Sequence, residues 1–316
     1  SSCSIAVLIF FIHHVPMRIH INNVIERIGD RLIEEIDSRF PVFVGVPLEE
    51  QADDPRIPSA FRDDATQADY ERRASVRSKD TGYIQLIDES TLLDVARDHD
   101  LVIRLHYQSG DFTHNGSVLL EAWPAERCDE ESVRALRGAF AVGSRRTALQ
   151  DLRFLIDELV EIAARALSPG VNDPFTANSC LDWLGAAMAD LARRDLPSRL
   201  RADDDETLRM IAHPITFDGF IDRAFGALAQ YASADMIAGK RFLNALGDVA
   251  LGCDDPGRIT TLARQTRDFR ALAEGALDGT CRESVLTRAD DLLRALAEPD
   301  YKRRLRDGNA WLGGTA

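Results

Sequence analysis

The chain has 316 residues, enough for more than one packed core, and its 45% hydrophobic and 28% charged content is that of an ordinary folded protein. A net charge of −14 argues against general nucleic-acid binding, which depends on neutralising phosphates, and against the whole body lying flat on anionic lipid. Five scattered cysteines (Cys3, Cys128, Cys180, Cys253 and Cys281), odd in number and without ligand spacing, argue against a disulfide framework or a zinc site and suit a reducing compartment.

The chain does not open on methionine and reads as a piece of a longer one. Ile5–Ile12 is continuously apolar but shorter than the ~20 residues of a spanning helix. It reads as the end of a truncated membrane helix, with a buried strand as the alternative. Arg18, Arg27 and Arg31 follow the run and no basic residue precedes it, so the positive-inside rule puts everything after about Arg18 in the cytoplasm. His13, His14 and His20 fall at the expected interface, and Pro16 is expected to kink the exit from the membrane. Ile21, Ile25, Ile28 and Leu32 then make a narrow seam. That seam suits either a stalk packing on a symmetry mate or an amphipathic helix lying on its own domain.

Phe40–Pro47 reads as an extended segment, and Glu49–Arg73, rich in Asp, Pro and Arg, as a mobile linker. From Ser75 the pattern turns to strands. Gly82–Asp88, Leu101–Tyr107 and Val118–Trp123 are strand-like, Ser90 is placed to cap a short helix, and Asn115-Gly116 suits a tight hairpin. The phrase from Gly110 to Leu119 resembles the turn of biotinyl and lipoyl carrier folds. No lysine occurs between Thr81 and Gly239, so no swinging cofactor is expected.

The remainder is helical. Asp129 caps a helix through Val133, Leu136 and Phe140. Arg145 and Arg146 open the next segment, answering an acidic neighbour or an anion, or lying in a solvated turn. Leu152–Leu167 and Ala177–Leu191 form a helical hairpin. Its junction, Ser168-Pro169-Gly170-Val171-Asn172-Asp173-Pro174, holds a helix stop and a capped restart. Each polar residue there has a capping or turn role. The functional alternative is a polar ligand pocket lined by Arg145, Arg146, Gln150, Asp151, Arg165, Ser168, Asn172, Asp173, Thr176 and Asp182. Asp203-Asp204-Asp205 reads as a solvated turn, lacking the alternating ligands and glycine bend of a calcium loop. Phe217–Tyr231 is the cleanest amphipathic stretch, followed by helices near 242–250, 259–277 and 285–296 and a frayed tail around Trp311.

With Arg145-Arg146-Thr147, Gln150-Asp151 and Leu181-Asp182 around it, the junction resembles an uncharacterised family of predicted multi-spanning bacterial membrane proteins, the domain of unknown function 2254. That resemblance implies about four membrane helices ahead of an intracellular region, in the bacterial inner membrane, and no established activity.

The fold expected is α+β: a truncated transmembrane and stalk helix (1–38), an extended linker (39–74), a small β-sandwich or barrel-like segment (75–126) and a helical bundle (127–316). Gly-rich phosphate loops, paired metal-binding histidines and a nucleophile elbow are absent, so no catalytic set and no metal site is assigned. The expected partners are the lipid bilayer through the N-terminal helix and further copies of the chain, with a small ligand or a protein partner unspecified. Three functions follow: a cytoplasmic body supporting assembly, gating or ligand sensing for a channel- or transporter-like membrane part; a docking or small-molecule-binding module; or a hydrolase with Asp173 or Asp151 as acid/base.

Overall fold

A computed structural model describes residues 21–40, 44–49, 51 and 54–307. The apolar run, the three early histidines, Pro16 and the Trp311 tail lie outside the described residues. The fold is α+β, in two compact units. One comprises the described parts of Ser1–Asp37, Leu155–Arg194 and Phe217–Ala316; the other comprises those of Ser38–Phe154 and Asp195–Thr216.

The helical unit begins with α1 (Ile21–Arg39), whose buried residues Ile25, Gly29, Leu32 and Ile36 recur at four, three and four residues. Ile25 and Leu32 are 0% exposed and Ile36 1%, while Ile21 is 42% exposed. The apolar stripe is therefore covered by the chain's own unit, as the amphipathic-helix alternative requires. Gly29 is the point of closest approach: a Cβ there would meet the Trp183 ring at 2.3 Å.

In the strand-rich unit, β1 (Val46–Leu48) leads to a 3-10 turn at Ser59–Phe61 and to α2 (Gln67–Glu71), which Thr66 and Asp69 close with a reciprocal capping box. The segment expected as a linker is packed at two apolar points. Ile57 and Phe61 are buried beside Leu200, Leu208 and Ile211, and Arg56 pairs with buried Asp54. A low-hydrophobicity stretch is held by two apolar anchors and an ion pair that composition alone does not weigh.

Next come β2 (Ala74–Arg77), β3 (Gly82–Ile87), α3 (Glu89–Asp98), β4 (Val102–Leu105), β5 (Phe112–Thr113), β6 (Val118–Trp123), α4 (Glu130–Gly138) and β7 (Phe140–Gly143). The hairpin β8 (Leu200–Ala202) and β9 (Leu208–Ile211), distant in sequence, completes a six-stranded sheet in the order β1-β8-β9-β4-β6-β2. Only β4–β9 among these pairs is parallel. A second sheet runs β5-β3-β7. Ile103 packs in the larger core with Ile84, Leu92, Leu120 and Met210, and its neighbour Val102 packs in the second core with Ile57 and Leu200. Alternation along β4 thus serves two cores, which is why Leu101-Val102-Ile103 is apolar without a gap.

Three local expectations change. Asp88, not Ser90, caps α3; the Ser90 hydroxyl donates to that carboxylate at 2.6 Å. Phe140 opens β7, beyond the end of α4, and pairs with Ile87. Gly116 takes φ +90° as its turn requires, but β5 and β6 on either side belong to different sheets, so the turn is no hairpin.

The helical unit continues with α5 (Leu152–Ala166), whose first turn is counted with the other unit, then α6 (Pro174–Leu191) and α7 (Phe217–Ile221). A π-turn at Asp222–Gly226 leads into α8 (Ala227–Ala232), so the expected single amphipathic helix is interrupted. Four more follow: α9 (Met236–Leu251), α10 (Pro256–Ala276), α11 (Gly279–Ala297) and α12 (Pro299–Asp307). The aromatic stripe is core: Phe242 stacks on Phe269 at 4.1 Å and meets Phe225 edge-on at 5.4 Å. α6 and α9 cross closely because Gly185 faces Ala245, where an added Cβ would lie 2.9 Å from its methyl. Among the described residues no helix is long and apolar enough to cross a membrane.

Candidate functional site

Six of the ten residues singled out by sequence lie in the helical unit. In the junction, Ser168 donates through Oγ to the Arg165 carbonyl at 2.7 Å, and the backbone NH groups of Val171 and Asn172 donate to the Ser168 carbonyl. Asn172 takes φ +50°, the left-handed value that asparagine tolerates. Asp173 accepts from the amides of Phe175 and Thr176 and from the Thr176 hydroxyl at 2.6 Å. Those bonds, led by the Thr176 hydroxyl, hold its carboxyl below the usual carboxylate range. An aspartate bound to its own helix amides and ionised at neutral pH has no proton to give as a general acid. Arg165 pairs with Glu161, both well exposed. Beside the exposed Asn172, the junction presents two large apolar side chains to solvent: Val171 is 62% and Phe175 70% exposed. Asp173→Ala is expected to cost ~1 kcal/mol, measured by urea unfolding.

The other four lie in the strand-rich unit. Asp151, 2% exposed, accepts from Arg146 at 2.6 Å on one oxygen and from Arg153 at 3.0 Å on the other. Arg153 also reaches Asp111 at 2.8 Å and the Ser109 carbonyl, while Arg146 packs over the Phe154 ring. The acidic neighbour of the paired arginines is therefore Asp151, and it answers Arg146. Arg145 is exposed, and its carbonyl accepts from Gln85 at 2.7 Å. Gln150 behaves like an extra strand residue, accepting from Ile87 N at 2.7 Å and donating to Ile87 O at 3.1 Å. Arg146, Gln150, Asp151 and Arg153 thus spend their polar groups within the unit, while the Arg145 side chain faces solvent.

Of the polar stripe between α6 and α9, sequence reasoning singled out Asp182 alone. Asp182 pairs with Arg241, and Asp248 lies within the field of both. Burial pushes the Asp248 carboxyl up to about 6; Asp182 reinforces the rise and Arg241 opposes it. Its Oδ1, like Asn178 Oδ1, is buried without a hydrogen-bond partner among the described residues. The signal was present: Asn178 and Asp182, like Arg241, Asn244 and Asp248, recur at three to four residues on helices that are otherwise apolar.

Asp248 also lines a cleft of about 470 Å³, with Arg193 and Ala189 on one wall and Asp254 and Arg306 on another. Arg306 is engaged by Asp254 at 3.6 Å and by the Leu251 carbonyl. Arg193 has no ion-pair partner among the described residues and lies across Gly252, 3.2 Å from where a Cβ would be. The cleft therefore combines an uncommitted guanidinium with a carboxyl that changes charge near neutrality.

Raised in the fold, the Asp248 pKa makes its ionised form the destabilising one. Below about pH 4 the group is protonated in both folded and unfolded chains; stability is lost as pH rises toward and through 6. Asp248→Asn is therefore expected to stabilise the unit at pH 7.5 by on the order of 2 kcal/mol and to give no gain at pH 4, read from unfolding midpoints at the two pH values.

A second charged knot surrounds Glu121, which accepts from Arg73 at 3.1 Å, Arg104 at 2.5 Å and His106 at 3.0 Å. Burial would raise this carboxyl, but hydrogen bonds from His106 and Arg104 and the charges of Arg104 and Arg73 hold it at about 2. The turn at 203–205 is solvated at Asp204 and Asp205, as expected, but not at Asp203. Asp203 is buried, accepting from the amides of Asp205 and Thr207 and from Arg209 at 2.7 Å. Its carboxylate satisfies the turn's amides, so it turns inward.

The family model for predicted membrane proteins described as DUF2254 matches residues 2–248. Uncharacterized proteins of Mycobacterium tuberculosis (strain H37Rv) and Mycobacterium bovis (strain AF2122/97) are each 29% identical over 268 residues. The match covers 83% of this chain and 49% of each relative, so the chain spans about half the length of the curated relatives it matches. No solved structure matches the chain significantly. The apolar run preceding α1 and the polar junction of α5 and α6 fall within the matched span, and the chain belongs to this family of predicted membrane proteins of unknown function.

Proposed function

We propose that this chain is the cytoplasmic body of an integral membrane protein and that it serves the membrane part by ligand sensing, in an oligomer. The observation that carries the reading is α1. The helix that follows the apolar run is buried at Ile25, Leu32 and Ile36 in the helical unit, so force on its N-terminal end is delivered to that unit. The cleft supplies a sensor. Arg193 lines it, and the next residue, Arg194, pairs with Asp37 of α1 at 2.7 Å, while Arg258 holds the carbonyls of Ala192 and Arg194 at 2.7 Å each. A small anionic ligand drawn to Arg193 would pull on the segment that grips α1.

The test is ion flux from liposomes holding the full-length protein, compared with a form truncated after Pro41 and with Arg193→Ala. Flux that changes on truncation and responds differently in the alanine variant is the expected result. No flux, or flux indifferent to both changes, would overturn the reading.

A further inference from the structure

One close approach and one charge interaction set a common level across the helical unit. Gly29 of α1 lies against Trp183 of α6, and Glu158 of α5 feels the charges of Arg31 and Arg27. Further along, Asp37 meets Arg194, so α1 and the α6 segment run in the same direction. From the shared level, Ile21, Phe175 and Ala166 each lie eight residues away toward one end, or about 12 Å of helix. The start of α1 and the tip of the α5–α6 hairpin therefore share one end of the unit. The 470 Å³ cleft, lined from Ala189 and Arg193, lies toward the other.

We infer that the hairpin tip is a second membrane contact, with Val171 and Phe175 entering the interfacial layer of the bilayer. The inference rests on the membrane attachment proposed above. Three observations single out lipid as the occupant. The chain reaches Ile21 from the apolar run ending at Ile12, nine residues earlier, so the membrane-directed sequence arrives at this end within a reach of ~30 Å. The loop's backbone amides are paired internally: Ser168 and Asp173 bond their own backbone, and the amides of Val171, Asn172 and Asp173 are donated within the turn, which leaves the exposed Asn172 side-chain amide as the polar group at the tip. A loop whose amides are already paired loses less on entering the interfacial layer, where the Asn172 side chain still meets headgroups and water. Finally, exposed Arg27, and Arg165 in its exposed pair with Glu161, stand behind the apolar tip, where long basic side chains can reach headgroup phosphates. The residues that make the junction distinctive thus form a wedge with paired amides and an apolar pair at its tip.

The experiment uses the chain bound to phosphatidylcholine–phosphatidylglycerol vesicles, with and without lipids carrying a nitroxide near the acyl-chain carbonyl. In Phe175→Trp the fluorescence added over the wild type is expected to be quenched by the nitroxide lipid. Val171→Asp combined with Phe175→Asp is expected to weaken vesicle partitioning roughly tenfold. A chain that floats with vesicles while the added indole stays unquenched overturns this inference alone. A chain that fails to float at all overturns it together with the attachment it rests on.

Discussion

Asp151→Ala is expected to destabilise the strand-rich unit by ~3–5 kcal/mol, because it leaves Arg146 and Arg153 as half-buried guanidiniums without their shared carboxylate. The lost pair is the smaller part of that cost; the larger part is the desolvated charge left behind. The same carboxylate constrains Gly110, at φ +92°, where a Cβ would lie 1.8 Å from Asp151 Oδ2. Gly110→Ala therefore meets both a left-handed backbone and a clash with a group that the two arginines hold in place. Because the clashing atom is the one removed in Asp151→Ala, the two changes should be non-additive, with Gly110→Ala costing measurably less in the Asp151→Ala background. Urea unfolding of the four proteins gives the coupling directly. Additive costs would mean that Asp151 is not what confines Gly110.

Gly29→Leu is the second large effect. Helix propensity alone would favour a larger residue at an interior helical position by ~1 kcal/mol. Sterics decide the other way, for the Trp183 ring occupies the space of the missing side chain, with Cδ2, Cε3 and Cγ at 2.3–2.5 Å from the Cβ position. The helices must separate or the indole must leave, at the upper end of the ~1–3 kcal/mol typical of overpacking. A lowered unfolding midpoint with a shifted Trp183 emission is the expected signature. An unchanged midpoint would show that α1 does not press on α6.

These two sites also show what could be read from sequence. The helices on either side of the junction were legible because their apolar period is strong and their ends carry Pro169, Gly170, Asp173 and Pro174. The strands at 82–87, 102–105 and 118–123 were legible for the same reason of period, and the acid facing Arg146 was anticipated as a type of partner. Long-range pairing was not. The β8–β9 hairpin joins β4 across about a hundred residues, and no local pattern carries that register. Nor could composition show that Glu49–Arg73 is pinned by Phe61, or that Gly29 exists for an indole far along the chain. Linear spacing favoured polar residues clustered in the junction, where they turned out to serve caps. Of the polar residues dispersed along α6 and α9 only Asp182 was picked out; Asp248, which lines the cleft and whose carboxyl is pushed up to about 6, was not. A polar residue repeated at helical spacing on an apolar helix is the better guide, since burial is what moves a carboxyl toward neutrality.

The proposed function depends on α1 being a core helix of the body it enters, and amide hydrogen exchange on the intact chain tests that most directly. Amides between Ile25 and Ile36 are expected to be protected to the same degree as those of α6, since opening one requires opening both. Exchange of α1 within seconds while α6 stays protected would show a helix merely resting on the surface, and would contradict the coupling on which the proposed function is built.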